Sequence, residues 1–91
     1  MISHTTEKFR KAFRNLPVPI QRKARKAFYL WREDLGNPSL HFKEIHHSKP
    51  VYSIRIGLGW RAVGLKAKNH LIWFWIGSHA DYDNLVKQIG R

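Results

Sequence analysis

Apolar and polar residues alternate through the middle of the chain in a way that predicts three consecutive strands. Isoleucines occupy alternate positions in the first strand, and β-branched and aromatic residues are frequent in the other two. Gly57-Leu58-Gly59 supplies the first turn, because glycine adopts the positive φ that tight hairpins need. The predicted strands are Tyr52–Ile56, Trp60–Lys66 and Leu71–Ile76, with a second turn at Lys68-Asn69.

The length of the first turn decides which side chains face each other across the hairpin. A three-residue loop places Ile56 opposite Trp60 and Arg55 opposite Arg61, and directly opposed residues point to the same side of a sheet. Like charges placed in this way destabilise the fold. A phosphate-binding site, however, gains from two adjacent guanidinium groups. We therefore predict a phosphate-binding pair of arginines. A two-residue loop would put them on opposite faces.

The second turn predicts how the remaining side chains divide between the two faces. A two-residue turn pairs Gly64 with Trp73 and Ala62 with Trp75, so that indoles cover small residues on the face packed against the helices. The opposite face is then apolar with a basic centre, and comprises Arg55, Arg61, Val63, Leu65, Ile72, Phe74 and Ile76.

The residues before the strands have the periodicity of two amphipathic helices. The first follows a cap at Thr5 or Thr6 and ends at Pro17, and the second runs from about Val18 to Leu35. Two helices joined by so short a connection form an antiparallel hairpin. The buried face of the second helix is predicted to contain Ile20, Ala24, Ala27, Phe28, Trp31 and Leu35.

A short strand and a final helix complete the predicted fold. Leu40–His46 has a weak strand alternation, and Ser78 with Asp81 forms a capping pair for a helix whose apolar face carries Tyr82, Leu85, Val86 and Ile89. We expect residues 1–91 to form a single α+β domain. An N-terminal helical hairpin would pack on a small, mainly antiparallel twisted sheet, followed by a short C-terminal helix.

The charge of the chain indicates its partners. Seventeen Lys and Arg residues against six Asp and Glu give a net charge of +11, which favours polyanionic partners. A basic surface kept for solubility is the alternative, and the basic residues of the second helix, such as Lys23 and Lys26, fit a solvated face as well as a contact surface. An acidic protein partner is compatible with both interpretations.

Several classes of protein are excluded by composition. The chain has no cysteine, which excludes a disulfide framework, a thiolate zinc site and a thiol nucleophile. Its histidines lack a clear metal-ligand spacing, so neither a metal nor another cofactor is expected. There is no apolar run of about 20 residues and no signal peptide, so we expect a cytoplasmic protein without a membrane partner.

The order of elements and several short motifs resemble the RelE/ParE superfamily of bacterial toxins from toxin–antitoxin pairs, over nearly the whole chain. The motifs are Leu16-Pro17 at the bend of a basic helical hairpin, Phe42-Lys43 on a strand, the Tyr52–Gly57 hairpin segment (YSIRIG) followed by Trp60-Arg61-Ala62-Val63, and Ile76-Gly77-Ser78-His79 with Tyr82. The hairpin motif is fairly specific for the superfamily, and it does not separate the branches.

The resemblance implies one of two activities. Toxins similar to RelE cleave messenger RNA, typically in the ribosomal A site, without a metal. Toxins similar to ParE share the fold, inhibit DNA gyrase and have no nuclease site. In the RelE pattern, the positions of Ser53 and Arg55 are basic, an arginine stands at Arg61, and an imidazole or basic group and a tyrosine lie near His79 and Tyr82. This chain departs from RelE at Ser53, where RelE has lysine.

Cleavage of RNA through its 2′-hydroxyl needs a base, stabilisation of the phosphorane charge and a proton for the leaving oxygen. Guanidinium groups suit the second role, because they are always charged and bind phosphate oxygens bidentately. Histidine suits proton transfer near neutral pH. We predict catalytic residues Arg55, Arg61, His79 and Tyr82, and RNA-contacting residues Lys43, His46, His47, Ser53 and Trp60.

Each of these residues also has a structural interpretation. Arg61 can pair with an acid, His79 can be a surface residue of the helix cap, Tyr82 can belong to the core, and Lys43 and the histidine pair can lie in a solvated loop. The favoured function is an endoribonuclease toxin, associated with the ribosome or free, and neutralised by a cognate antitoxin. A gyrase inhibitor of the ParE type and a decayed member that only binds RNA or protein are the alternatives.

Overall fold

A five-stranded mixed sheet forms the centre of the computed structural model, which describes residues 1–46 and 48–89. Its strands lie in the order β1-β5-β4-β3-β2. All neighbouring strands are antiparallel except β1 and β5, which are parallel. The elements are β1 (Ile2–Thr5), α1 (Glu7–Arg14), α2 (Val18–Glu33), a 3-10 turn (Pro38–Leu40), β2 (Lys43–Glu44), β3 (Val51–Ile56), β4 (Trp60–Ala67), β5 (His70–Ser78) and α3 (His79–Ile89).

The α+β fold predicted from the sequence is confirmed, with the helical hairpin, the mainly antiparallel sheet and the final helix all present. Thr6 caps α1 by accepting the N–H of Phe9 on its hydroxyl at 3.0 Å. Pro17 separates the two helices, and Pro19 lies in the first turn of α2, where its missing N–H costs nothing.

No helix among residues 1–46 and 48–89 is long and apolar enough to cross a membrane.

The main core lies between the helical hairpin and one face of the sheet. Trp31 of α2 and Trp73 of β5 are fully buried, and their rings meet edge to face with centroids 5.4 Å apart. Gly64 stands opposite Trp73, as predicted. A Cβ at this position would lie 3.0 Å from the indole of Trp73, so the close approach favours glycine. The buried members of this core are Phe9, Ala24, Ala27, Trp31, Leu40, Ile54, Ile56, Ala62, Leu71, Trp73 and Ile76.

A bulge in the β4–β5 pair corrects part of the predicted division of faces. The register shifts between Val63 and Gly64, so that Trp75 stands opposite Val63 and Ile76 opposite Ala62. One extra residue on a strand reverses the facing of every residue that follows it. Trp75 therefore packs on the α3 side of the sheet, whereas Ile76 joins the core under the helical hairpin.

The segment between α2 and β3 is less regular than predicted. The strand expected over Leu40–His46 is only two residues long, because Leu40 belongs to the 3-10 turn and His41 has a left-handed backbone conformation, with φ of 47°. Lys43 and Glu44 pair with Ser53 and Tyr52 of β3, and the N–H of Ile45 donates to the carbonyl of Val51 at 2.8 Å.

The predictions did not include β1. It adds a parallel strand at the β5 edge of the sheet, with Ile2 opposite His70. The hydroxyl of Ser3 accepts the indole N–H of Trp73 at 3.0 Å, and the rings of His4 and His70 are joined by a 2.8 Å hydrogen bond. These contacts attach the first residues to the centre of the fold.

The final helix covers the other face of the sheet. Ser78 accepts the N–H of Asp81 on its hydroxyl at 3.2 Å, which confirms the predicted cap. A second, smaller core forms beneath α3, with Val51, Val63 and Tyr82 buried in it. This arrangement brings the start of α3 next to the β3–β4 hairpin.

Candidate functional site

Arg61 lies against the ring of Tyr82. Its guanidinium carbon is 5.5 Å from the ring centre, within the range of a cation–π contact. Its Nη1 atom is buried and has no hydrogen-bond partner, and no acidic residue of the described chain forms an ion pair with it. A partly buried guanidinium without an anion is costly, and a bound phosphate would offset that cost.

Tyr82 and Ser53 form a hydrogen bond between their hydroxyl groups. The tyrosine is 6% exposed, and its hydroxyl lies 3.2 Å from the hydroxyl of Ser53, which is fully buried. The prediction that Ser53 contacts RNA does not fit this placement, because its side chain has no exposed surface. Tyr82 belongs to the smaller core beneath α3, and its ring contacts the guanidinium of Arg61.

His79 lies at the first position of α3, close to the same tyrosine. Its ring is stacked on Tyr82 with centroids 5.9 Å apart and planes inclined by 17°. Its backbone N–H donates to the carbonyl of Gly59 at 2.8 Å, which ties the helix start to the hairpin turn. The side chain is half-exposed, and its Nε2 lies 3.8 Å from a carboxylate oxygen of Asp83. The imidazole is therefore accessible from solvent.

Arg55 stands directly opposite Arg61 in the register of β3 and β4, as the three-residue turn predicts. The side chains nevertheless make different contacts. The Nε of Arg55 donates to the carbonyl of Gly57 at 2.9 Å, and Arg55 borders a cavity of about 420 Å³ on the α2 side of the hairpin. The structure thus places Arg61 and His79 each in contact with the ring of Tyr82, and Arg55 on the neighbouring strand opposite Arg61.

The predicted RNA-contacting residues that the structure describes differ in their surroundings. Lys43 is exposed on the short strand β2, whereas Trp60 is half-buried and packs against the main core. His46 is only 8% exposed, and its Nδ1 accepts the N–H groups of Ser48 and Lys49 at 3.1 and 3.0 Å. Its visible role is to close the turn before β3. His47 lies outside the described residues.

Two further cations lie near the hairpin and were not assigned to the site from sequence. Lys23 and Lys26 of α2 line the cavity that Arg55 borders. A Cβ placed on Gly57 would lie 3.7 Å from the Nζ of Lys23, so this ammonium group is next to the turn. Helical periodicity puts these lysines beside the buried face of α2, but it does not show which part of the sheet they approach.

The described residues contain no group of three or more His, Asp or Glu side chains that could hold a metal ion. The candidate site is instead a cluster of cations, an imidazole and an aromatic support. Such a set can bind a phosphate and move a proton.

The sequence matches a family model described as a ParE-like toxin domain over residues 18–84. This range includes α2, the whole β3–β4 hairpin and the candidate site residues from Lys43 to Tyr82. The chain belongs to the family of ParE-like toxin domains. A search of curated proteins found no match.

Solved toxin structures share the fold. The RelB–RelE antitoxin–toxin complex from Methanococcus jannaschii matches with a TM-score of 0.71 at 16% identity, covering 90% of this chain and 96% of that one. The isolated RelE toxin of E. coli matches with a TM-score of 0.63 at 17% identity, covering 97% of both chains. YafQ from E. coli gives 0.65 at 15% identity over 88% of this chain and 94% of that one. The family model and the shared fold together confirm the resemblance to the RelE/ParE superfamily.

Proposed function

We propose that this protein is a toxin of the RelE type, a metal-independent endoribonuclease that cuts messenger RNA. The observation that carries the proposal is the guanidinium of Arg61, which is partly buried on Tyr82, has an unpartnered Nη1 and forms no ion pair with an acidic residue among those the structure describes. An always-charged, planar donor held in this way suits the extra negative charge of a phosphorane. The RelE-like fold and the net charge of +11 support the same conclusion.

The chemistry assigned to the site is a transfer within the RNA itself. The 2′-hydroxyl loses its proton to a base and its oxygen attacks the adjacent phosphorus, while the bond to the 5′-oxygen breaks and that oxygen takes a proton. The products are a 2′,3′-cyclic phosphate and a 5′-hydroxyl, and no cofactor is required. His79 is the proton-transfer group in this scheme, because it is half-exposed and close to Arg61 through Tyr82.

Tyr82 and Arg55 take supporting roles in the proposal. Tyr82 positions Arg61, since its ring is the surface on which the guanidinium lies and its hydroxyl is engaged by Ser53. Arg55 supplies a second positive charge on the neighbouring strand. The whole of residues 1–91 would act as one domain in the cytoplasm, where messenger RNA and ribosomes are found.

A cognate antitoxin is the expected protein partner. One of the structures with this fold is a RelE toxin in complex with its antitoxin RelB. The strongly basic surface of this chain suits an acidic, wrapping partner. A small acidic protein encoded beside this one, and co-purifying with it, is the expected observation.

The test is RNA cleavage by the purified protein, with naked RNA and with ribosomes carrying messenger RNA. The substrate is compared with one in which the 2′-hydroxyl at the cut position is replaced by hydrogen. We expect cleavage of the first and none of the second, with Arg61→Ala inactive and Arg22→Ala, which removes an exposed charge of α2, active. Cleavage that survives the 2′-deoxy replacement, or no cleavage under either condition, would refute the proposal.

A ParE-like inhibitor of DNA gyrase is the second candidate. The matching family model is described as a ParE-like toxin domain, and Ser53 is a buried serine at a position where RelE has lysine. This candidate predicts inhibition of gyrase supercoiling by the purified protein without RNA fragments. A protein that binds RNA or an antitoxin and has neither activity is the third outcome.

A further inference from the structure

The cavity beside the β3–β4 hairpin collects positive charge from two separate elements. Lys23 and Lys26 line it from α2, and Arg55 lines it from β3. The charged residues that line it are these three cations, with no carboxylate among them. None of the three forms an ion pair with an acidic residue of the described chain. Three positive charges so close together repel one another and lower the stability of the fold, so stability alone does not explain them.

Two of the three cations approach the turn at Gly57. Arg55 donates its Nε to the carbonyl of this glycine, and a Cβ built on the glycine would lie 3.7 Å from the Nζ of Lys23. Gly57 has a positive φ of 59°, a conformation that favours glycine. A Cβ at this position would lie 3.2 Å from the Cδ of Lys23, in the space that this lysine now occupies. The absence of a side chain thus allows the ammonium and guanidinium groups to approach one turn.

We propose that Lys23, Lys26 and Arg55 form a second phosphate-binding site, which holds the backbone of a single-stranded RNA at the tip of the β3–β4 hairpin. Arg55 of this site stands opposite Arg61, which lies on the adjacent strand of the same hairpin. A single-stranded RNA that passes the hairpin tip would therefore meet the two arginines in turn. The exposed side chain of Leu58, 88% accessible at the tip, gives an apolar surface for a ribose or base between them.

The identity of the ligand rests on the proposed function, but its binding is measured without cleavage. The probe is a fluorescent single-stranded RNA with 2′-O-methyl groups, which cannot be cut through the 2′-oxygen, and its affinity is followed by anisotropy over a range of salt concentrations. The variant is Lys23→Gln with Lys26→Gln. The control is Lys8→Gln with Lys11→Gln, which removes the same charge from exposed positions of α1.

Counterion release sets the expected result. Each lost phosphate contact lowers the slope of log affinity against log salt by about 0.7 for a single strand, so the variant should lose about 1.4 in slope and roughly 25-fold in affinity at 0.1 M salt. The control should lose clearly less of the salt slope and of the affinity. Equal losses in the two variants, or no RNA binding by the parent protein, would overturn the proposal.

Two further probes separate this ligand from other polyanions. An oligonucleotide of the same sequence with neutral methylphosphonate linkages should bind the variant and the control alike. Poly-glutamate should also bind the variant and the control with equal affinity. If the variant loses more affinity for poly-glutamate than for RNA, the ligand of the cavity is an acidic polypeptide instead. If the protein binds RNA through these lysines and never cuts it, the nuclease proposal fails while the second phosphate site stands.

Discussion

The guanidinium of Arg61 rests on the ring of Tyr82, so the last helix supports a charge that belongs to the fourth strand. The tyrosine is in turn fixed from below by its contact with the hydroxyl of Ser53. A sheet residue, a helix residue and a second sheet residue thus form a short chain of contacts from the core to the surface. The position of the charge depends on the packing of α3.

Replacing Arg61 with lysine tests whether the plane of the guanidinium matters. Arg61→Lys keeps the charge but loses the stacked plane and the paired donors. We expect RNA cleavage to fall by about 10²–10³-fold, the loss typical of one transition-state donor. The measurement is the single-turnover rate at saturating RNA, with Arg22→Ala as the control. Full activity of Arg61→Lys would show that a positive charge alone suffices.

The contact between Ser53 and Tyr82 gives a prediction about stability. Ser53→Ala and Tyr82→Phe each leave a buried oxygen without its partner, and each should lower the free energy of unfolding by about 1–3 kcal/mol. The double variant should cost less than the sum of the two, because no unpaired hydroxyl remains. Urea denaturation of the four proteins measures this coupling. Strict additivity would mean that the two hydroxyls do not interact.

Tyr82→Phe also separates the two roles of the tyrosine. The phenylalanine ring keeps the surface on which Arg61 lies, so the rate of RNA cleavage should remain close to that of the parent protein. Loss of cleavage in a folded Tyr82→Phe protein would instead assign a chemical role to the hydroxyl.

Tyr52 has a pKa raised above its ordinary value of 10.0. The main cause is the hydrogen bond that its hydroxyl donates to Glu44 at 2.9 Å, followed by desolvation and by the negative charge of that carboxylate. Because the pKa is higher in the folded state, the stabilisation is fully present below pH 10 and is lost as the pH rises through the folded pKa. Glu44→Gln should bring the pKa back toward 10.

The measurement is the phenolate absorbance during an alkaline titration. Tyr52→Phe removes the corresponding transition and so identifies it among the three tyrosines of the chain. Unfolding of the parent protein and of Glu44→Gln should differ in free energy near neutral pH, and the difference should shrink above pH 10. Identical phenolate transitions in the two proteins would contradict the assignment.

Two glycines of the sheet region provide a matched pair. A Cβ at Gly77 would lie 2.8 Å from the indole of Trp75, whereas a Cβ at Gly59 meets nothing within 4 Å. Gly77→Ala should therefore destabilise the fold by about 1–3 kcal/mol, as overpacking typically does, and Gly59→Ala should have a small effect. Thermal or urea unfolding of both variants tests this. Equal stabilities would mean that Trp75 moves aside at little cost.

The sequence predicted the β3–β4 hairpin with its register, because two glycines and the alternating isoleucines leave few choices. It did not predict the facing of Trp75, since a bulge arises from packing across the whole sheet and not from a local signal. Strand β1 was missed because Ile2–Thr5 is short and exposed, and its partner is distant in sequence.

The candidate site was predicted in part. The opposition of Arg55 and Arg61 follows from turn length alone, and the place of His79 follows from the cap of α3. The burial of Ser53 and the approach of Lys23 to Gly57 depend on how the helices pack on the sheet. Helical periodicity gives the face of a helix, but not the strand that this face meets.

The parallel pairing of β1 with β5 has a consequence for synthesis. Ile2–Thr5 is made well before its hydrogen-bonding partners, which begin at His70, so this edge of the sheet closes only after β5 has been translated. A product that stops before β5 lacks the neighbour of both β1 and β4, and it lacks the helix on which Arg61 rests. A truncated chain of this kind would therefore lack the contact between Arg61 and Tyr82.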